Sequence, residues 1–272
     1  MRPYYNHDDD RGGLGGMRIS FRFGWTRTVK VLIIVTALAY LVELMLLNRF
    51  PDLLEWVGFY RPNFLRGAVW QVVSYMFVHD PGSLWHLLLN MLGLFFFAGD
   101  VERALGRGNF LTMYLLCGVA GGLLSLYQGD VPVVGASGGV LGVMVAFAVL
   151  FPDARIILFP IPLPVRARYV AIFFCFVTVA SLLMDRGGAV AHWAHLGGIA
   201  VGFLFVKARP LREALRHAWR SRRRLTRERR SAAEQAELDR ILEKVHRDGI
   251  TTLSNRERDF LNAMSRKYRD DD

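Results

Sequence analysis

Six apolar runs follow one another along the chain, and they limit its possible folds more than any other feature. They lie at about 29–48, 83–99, 110–127, 137–151, 169–184 and 192–207. A helix needs about 20 apolar residues to cross the hydrocarbon core, and several of these runs are shorter. One such run fits a buried helix of a soluble protein, but six in succession without alternating strand patterns indicate a polytopic bundle. The predicted fold class is an all-α membrane protein with six transmembrane helices.

The charged residues lie mainly outside these runs. The chain is 53% hydrophobic and has a formal net charge of +10. Much of the positive charge follows the last run, at Arg222, Arg223, Arg224, Arg227, Arg229 and Arg230. Nucleic acid binds such clusters, but a cluster beside a membrane segment favours anionic lipid headgroups. We therefore expect membrane lipid, and no nucleic acid, as a partner of this segment.

Positively charged residues near the ends of the runs predict the orientation, because cytoplasmic loops are enriched in Lys and Arg. Such residues precede the first run and follow the second and fourth, at Arg18, Arg22, Arg27, Lys30, Arg103, Arg107, Arg155, Arg166 and Arg168. The loop 49–82 also contains arginines although it is predicted to lie on the outer side, which weakens the predicted orientation without reversing it. Both termini are predicted to be cytoplasmic, and residues 1–28 do not match a cleaved signal sequence.

The same patterns divide the chain into four segments. Residues 1–28 form an N-terminal cytoplasmic segment, and 29–207 form the membrane domain. Residues 208–231 are a basic linker, and 232–272 form a small cytoplasmic helical module. In that module Gly249 ends one helix, while Ser254 and Glu257 form a capping box that starts the next.

The fourth run begins with a serine among glycines, Gly135-Ala136-Ser137-Gly138-Gly139. A serine at the start of a helix lies beside unpaired backbone N–H groups and the positive end of the helix dipole, which favour a developing anion. A helix from Ser137 to Phe151 would rise only about 22 Å, against about 30 Å of hydrocarbon. Irregular backbone at that depth requires a cavity. Ser137 is therefore a candidate nucleophile in a polar cavity within the membrane.

Small residues on the fourth and sixth runs predict that these two helices pack closely. The residues recur on one face of each helix: Gly138, Gly142 and Ala146 on the fourth run, and Gly198 and Gly202 on the sixth. Such spacing lets membrane helices approach each other, and it would bring His195 against Ser137 as a general base. His192 is a competing base, but the glycine stripe begins at His195.

A second polar pair lies on the second run, where His86 and Asn90 are four residues apart and share one helix face. Two hydrogen-bond donors suit an oxyanion site, although a structural clamp between helices is the alternative. No acidic residue is well placed to orient His195, so we predict a Ser–His dyad. Cys117 and Cys175 lie within apolar runs and indicate no metal site.

Together these residues resemble three motifs of rhomboid intramembrane serine proteases. The motifs are Gly135-Ala136-Ser137-Gly138, Ala194-His195-Leu196-Gly197-Gly198 with Gly202, and His86-x-x-x-Asn90. The resemblance covers about residues 29–207 and implies a six-helix fold. It also implies Ser137 as nucleophile, His195 as base, and an oxyanion site at His86, Asn90 and the Ser137 amide. Such enzymes cleave transmembrane segments of other proteins near their outer ends, need no cofactor, and admit substrate past the fifth helix.

Some positions depart from the family pattern. Leu141 stands where many relatives carry an aromatic residue, and Trp70-Gln71 stands where they often show Trp-Arg. Glu102 and Gly106 match a recurrent pattern that implies a structural role. The C-terminal segment is similar to a short module of some bacterial rhomboids. The expected location is a bacterial inner membrane.

Other interpretations of these residues remain open at this point. The main alternative function is that of a rhomboid-like binder, which escorts membrane proteins without cleaving them. A transporter is a third possibility, but transporters usually carry more charged residues within their spans than this chain does. Gly-x-Ser-x-Gly, with Asp185 and His195 following, also matches the nucleophile elbow of soluble hydrolases. That elbow requires a strand before the serine and alternating strands and helices, and the flanking segments show neither. Glu43 is costly within the first span and has no evident partner, while His79 is interpreted as an ordinary loop residue. No substrate or oligomeric state is predicted.

Overall fold

The computed structural model describes residues 25–157, 164–184 and 191–270. It divides into two compact units, with the boundary between Lys207 and Ala208. The N-terminal segment expected at 1–28 lies almost wholly outside the described residues, and Asp185 also lies outside them.

The first unit is built from long apolar helices. Among the described residues, four helices are long and apolar enough to cross a membrane: Arg27–Leu47, Leu84–Leu105, Arg107–Tyr127 and Ala167–Met184. Ser137–Leu150 is a shorter apolar helix of 14 residues, and His192–Lys207 has 16 residues. The structure is therefore mostly helical with four candidate spans.

The elements of this unit are labelled in chain order. They are α1 (Arg27–Leu47), α2 (Leu53–Val57), α3 (Arg61–Leu65), α4 (Gln71–Ser74), α5 (Leu84–Gly93), α6 (Gly99–Leu105), α7 (Arg107–Leu124), α8 (Ser137–Leu150), β1 (Arg155–Ile157), β2 (Pro164–Arg166), α9 (Ala167–Met184) and α10 (His192–Lys207). A π-helical turn, Leu94–Ala98, joins α5 to α6. Short 3-10 turns follow α4 and α7, at Tyr75–Phe77 and Ser125–Tyr127.

Two short strands depart from the all-α expectation. β1 and β2 pair antiparallel, with Arg155 opposite Arg166 and Ile157 opposite Pro164. Each strand has three residues, which is too short for an alternating pattern to be recognised in a sequence. Ser137 itself is preceded by a loop that carries a single β-bridge at Val133. No strand among the described residues leads into the serine, so a nucleophile elbow is excluded, as the flanking sequence predicts.

Glycines let α10 lie directly against the backbones of α7 and α8. A Cβ atom added at Gly198 would overlap the carbonyl of Gly138, and one added at Gly202 would overlap the carbonyl of Gly142. A Cβ at Gly197 would lie 2.8 Å from the carbonyl of Ala120 in α7. Only residues without a side chain allow this approach.

Glu102 connects the beginning of α1 to the end of α6. Its carboxylate accepts hydrogen bonds from the hydroxyls of Thr26 and Thr28, the latter at 2.7 Å. The Thr26 hydroxyl also caps α1 by accepting from Val29 N at 3.2 Å. Gly106, with a φ of +79°, then reverses the chain into α7. These contacts fit the structural role that the family pattern implies for Glu102 and Gly106.

The loop between α1 and α5 is held together by buried polar side chains. Gln71 is fully buried; its amide nitrogen donates to Glu55 O at 2.7 Å, and its amide oxygen accepts from Tyr60 N at 3.2 Å. Phe59 and Val133 exchange two backbone hydrogen bonds of 2.8 Å. The loop is thereby tied to the segment that leads into Ser137.

The second unit is a helical hairpin. The helix α11 (Arg209–Asp248) has 40 residues, and α12 (Asn255–Asp270) follows a turn in which Gly249 has a φ of +86°. The predicted capping box is confirmed, since Ser254 N donates to Glu257 Oε2 at 2.9 Å and Glu257 N donates to Ser254 Oγ at 3.3 Å. The basic segment 208–231 is itself helical, so the boundary expected at 231/232 falls inside α11.

Candidate active site

Ser137 is the first residue of α8, and the backbone on both sides of it is tightly held. Gly135 N donates to Tyr75 O at 2.9 Å, and Val140 N donates to Ala136 O at 2.9 Å. Gly135 has a φ of +117°, and a Cβ there would lie 2.6 Å from His86 Nε2. Both the conformation and the space therefore require glycine two residues before the serine.

His195 lies in the first turn of α10 and reaches Ser137 directly. The distance from His195 Nε2 to Ser137 Oγ is 2.7 Å, which is within hydrogen-bonding range for a nucleophile and its base. His195 N also donates to Ala191 O at 3.1 Å, so the ring is carried by regular helix. His192, the competing base, packs edge-on against His195 with ring centroids 6.2 Å apart.

The contact between α8 and α10 sets this distance. A Cβ at Gly138 would lie 2.9 Å from Ala194 O, immediately before His195 in the chain. The glycines at 138, 198 and 202 therefore lie at the helix contact, and Gly135 lies against the His86 ring. Because these contacts are between backbones, the two side chains are held by the rigid parts of the fold.

His86 and Asn90 lie on α5, on the other side of the segment before Ser137. The His86 ring faces Gly135, and its Nδ1 lies 3.5 Å from Asp80 N. Asn90 is buried, and its amide nitrogen donates to His86 O at 2.9 Å within the same helix. The structure thus places His86 close to the serine loop, while the hydrogen bond of Asn90 runs along its own helix.

Comparison with known proteins identifies the family to which this arrangement belongs. A family model described as "Rhomboid domain" matches residues 66–209, which is more than half of the chain. The chain belongs to the rhomboid family. The resemblance predicted from the three motifs is thus confirmed, and the protein is a multi-pass membrane protein.

Several rhomboid relatives are similar to part of this chain. Rhomboid protein 1, mitochondrial, from Saccharomyces cerevisiae is 36% identical over 141 residues, covering 49% of this chain and 40% of the relative. The human presenilin-associated rhomboid-like protein, mitochondrial, is 30% identical over 136 residues, covering 46% and 34%. Rhomboid protease AarA from Providencia stuartii is 28% identical over 159 residues, covering 52% and 56%. The matches thus span less than two thirds of each relative.

The C-terminal hairpin has its own match. Residues 226–267 match a family of unknown function, DUF6576. This segment begins within α11 and ends within α12, so it covers the turn at Gly249 and the capping box.

The interpretation of His79 as an ordinary loop residue is wrong. Its side chain is fully buried, its ring lies 5.1 Å from the His86 ring, and its Nε2 lies 3.5 Å from Ala136 N. Its backbone N–H donates to Glu43 Oε2 at 3.1 Å, which supplies the partner that sequence analysis could not name for Glu43. The sequence gives one signal for this contact, which is the carboxyl group of Glu43 within an apolar span. It does not indicate His79 as the partner, because the two residues are far apart in the chain.

Proposed function

We propose that the chain is an intramembrane serine endopeptidase that cleaves transmembrane segments of other membrane proteins with a Ser137–His195 dyad. The observation that carries the proposal is the 2.7 Å separation of Ser137 Oγ and His195 Nε2 within a rhomboid domain. The names of several relatives, AarA among them, describe rhomboid proteases. Membrane proteins are the substrate class that the family implies.

The proposed reaction follows from these two side chains. Ser137 Oγ attacks the carbonyl carbon of the scissile peptide while His195 Nε2 takes the hydroxyl proton. The C–N bond then breaks, and His195 returns that proton to the leaving amine. Water attacks the acyl-enzyme with His195 again as base, which releases the acid product and restores the serine. No cofactor enters this scheme.

The developing oxyanion needs hydrogen-bond donors. Ala136 O accepts from Val140 N, and a trans peptide holds its N–H opposite its C=O, so the Ser137 N–H points out of the start of α8. His86 is close enough to the serine loop to add a second donor. Asn90 uses one amide hydrogen on His86 O, and its other amide hydrogen is available as a third. Donors of this kind are worth about 10²- to 10³-fold in rate.

The six-span arrangement belongs to the same proposal. α8 and α10 would be the fourth and sixth spans, although the 14 residues of α8 rise only about 21 Å. Most of α8 is buried among neighbouring helices, so it need not match the thickness of the lipid. The membrane domain would occupy 29–207 with both termini cytoplasmic. The bacterial inner membrane stays a prediction, since the relatives include both mitochondrial and bacterial proteins.

Cleavage by reconstituted full-length protein tests the proposal. With a single-span reporter substrate, Ser137→Ala and His195→Ala should each lower the rate by at least about 10³-fold. His192→Ala is the matched control, because it removes a neighbouring imidazole on the same helix and should retain most activity. Undiminished cleavage by either dyad variant would refute the assignment.

Labelling separates the protease from the non-catalytic binder. A fluorophosphonate probe reacts only with an activated serine, so the wild-type protein should be labelled at Ser137 and Ser137→Ala should not. A protein that binds membrane clients but resists the probe would be an escort and not an enzyme.

A further inference from the structure

A buried polar pair lies behind the serine loop and is not used in the proposed reaction. Glu43 in α1 and His79 in the loop before α5 are 3% and 0% exposed. Glu43 Oε2 accepts the backbone N–H of His79 at 3.1 Å. The pair joins the first span to the active-site segment across 36 residues of sequence.

The His79 ring continues this connection toward Ser137. Its Nε2 lies 3.5 Å from the N–H of Ala136, the residue before the serine. Burial, and then the neighbouring His86, lower the pKa of His79 to about 4. The ring is therefore neutral near pH 7, and Nε2 can accept a hydrogen bond when Nδ1 carries the proton.

The energetics argue against a purely stabilising role for this pair. Glu43 Oε1 is buried and lacks a hydrogen-bond partner among the described residues. Such a group costs about 1–3 kcal/mol relative to a satisfied one. A carboxyl group within a span is itself costly and by default suggests a functional role.

We propose that Glu43 and His79 are positioning residues that fix the backbone of Ala136, the residue immediately before Ser137. Glu43 holds the backbone of His79, and the His79 ring holds the N–H of Ala136. Val140 N holds the carbonyl of Ala136 from the other side at 2.9 Å. With the peptides before and after Ala136 both held, Ser137 Oγ stays opposite His195 and the Ser137 N–H stays aimed at the oxyanion. This inference rests on the proposed protease function.

Two variants of equal length at position 43 test the role of the acceptor. Glu43→Gln keeps an oxygen for the His79 N–H, whereas Glu43→Met removes the acceptor and suits an apolar span. We expect Glu43→Gln to keep kcat within about threefold of wild type and Glu43→Met to lower kcat by about 10- to 100-fold, as a displacement of up to 1 Å would. KM should stay within about twofold, because neither residue touches substrate.

The control is Thr36→Val in the same helix. Thr36 is also fully buried, but its hydroxyl donates to Leu32 O at 2.8 Å, within α1 itself. Thr36→Val should leave kcat within about twofold of wild type. All rates are divided by the fraction of protein that binds an active-site probe at saturation, so loss of folded protein does not mimic a loss of kcat.

The outcomes distinguish this inference from the proposed function. If wild type cleaves and Ser137→Ala does not, yet Glu43→Met and Glu43→Gln have equal kcat values, the positioning role is overturned while the protease remains. If wild type shows no Ser137-dependent cleavage, the proposed function itself fails. Should Glu43→Met not fold, His79→Leu against His79→Gln gives the same comparison, and equal kcat values there would overturn the role.

Discussion

Backbone atoms of α8 and α10 meet at four glycines, and this contact brings the candidate nucleophile and base together. Gly138, Gly142, Gly198 and Gly202 could be recognised in the sequence because small residues at a spacing of four are a local pattern. In the structure each added Cβ at Gly198 or Gly202 would overlap a carbonyl of α8. The 2.7 Å distance between Ser137 and His195 therefore depends on residues that carry no chemistry.

At residue scale, Gly198→Ala is expected to separate the two helices. The new methyl group would overlap backbone, which cannot rotate away, so we expect a loss of about 1–3 kcal/mol in stability and most of the cleavage activity. The measurement is thermal unfolding in detergent together with cleavage of the reporter. Gly108→Ala in α7 is the matched control, because nothing lies within 4 Å of its Cβ, and it should lower neither the unfolding temperature nor the cleavage activity. Equal behaviour of the two variants would contradict this account.

The buried pair at Glu43 and His79 shows what the sequence could not predict at this scale. Glu43 was conspicuous as a carboxyl group in an apolar run, but its partner is a backbone N–H in a distant loop. A backbone donor has no sequence signature, and His79 lies in no periodic pattern. Gln71 is similar, since its role depends on carbonyls that only the folded loop brings to it.

At the scale of elements, the apolar runs predicted the helices well but not their ends. The second run was expected to end near residue 99, whereas the helix continues to Leu105 because α6 carries charged residues beyond the apolar segment. The basic segment expected to be a linker is helical, because Arg and Glu are good helix formers even without an apolar face. Hydropathy detects segments that are buried in lipid. The end of α6 and the basic segment form helix without such burial, so hydropathy does not reveal them.

The contact between α11 and α12 gives a prediction of pH dependence. Lys244, and then the N–H of Ser254, lower the pKa of Glu257 to about 2. Since the folded pKa lies below the unfolded value of about 4.5, the stabilisation is present above pH 4.5 and is lost as the pH falls toward 2. Hydrogen exchange at residues 241–264, corrected for intrinsic rates, should accelerate over that range.

Two variants make this pH prediction specific. Glu257→Gln should remove most of the pH dependence of exchange, because its side chain does not titrate. Glu228→Gln should keep the dependence, since Glu228 pairs with Arg224 at 2.7 Å elsewhere on α11. If Glu257→Gln follows the wild-type profile, another group controls the hairpin.

At the scale of the whole molecule, the net charge of +10 is concentrated in the first half of α11. This half also exposes apolar side chains, with Leu211, Trp219 and Leu225 each more than half exposed. Arg223 stacks on the Trp219 ring at 3.9 Å. Apolar groups beside arginines are typical of helices that lie at a lipid interface. The helix starts two residues after Lys207, the last residue of α10.

We therefore expect anionic lipid to protect this half of α11. In nanodiscs of the full-length protein, hydrogen exchange over residues 211–230 should be slower with phosphatidylglycerol than with phosphatidylcholine alone. Changing Arg222, Arg223 and Arg224 to Gln should remove the difference, because each arginine contributes about 1 kcal/mol of attraction to an anionic surface. Changing Arg256, Arg258 and Arg266 to Gln in α12 alters the net charge equally and should leave the difference in place. An equal effect of both triple variants would mean that overall charge, and not the α11 surface, governs the response to lipid.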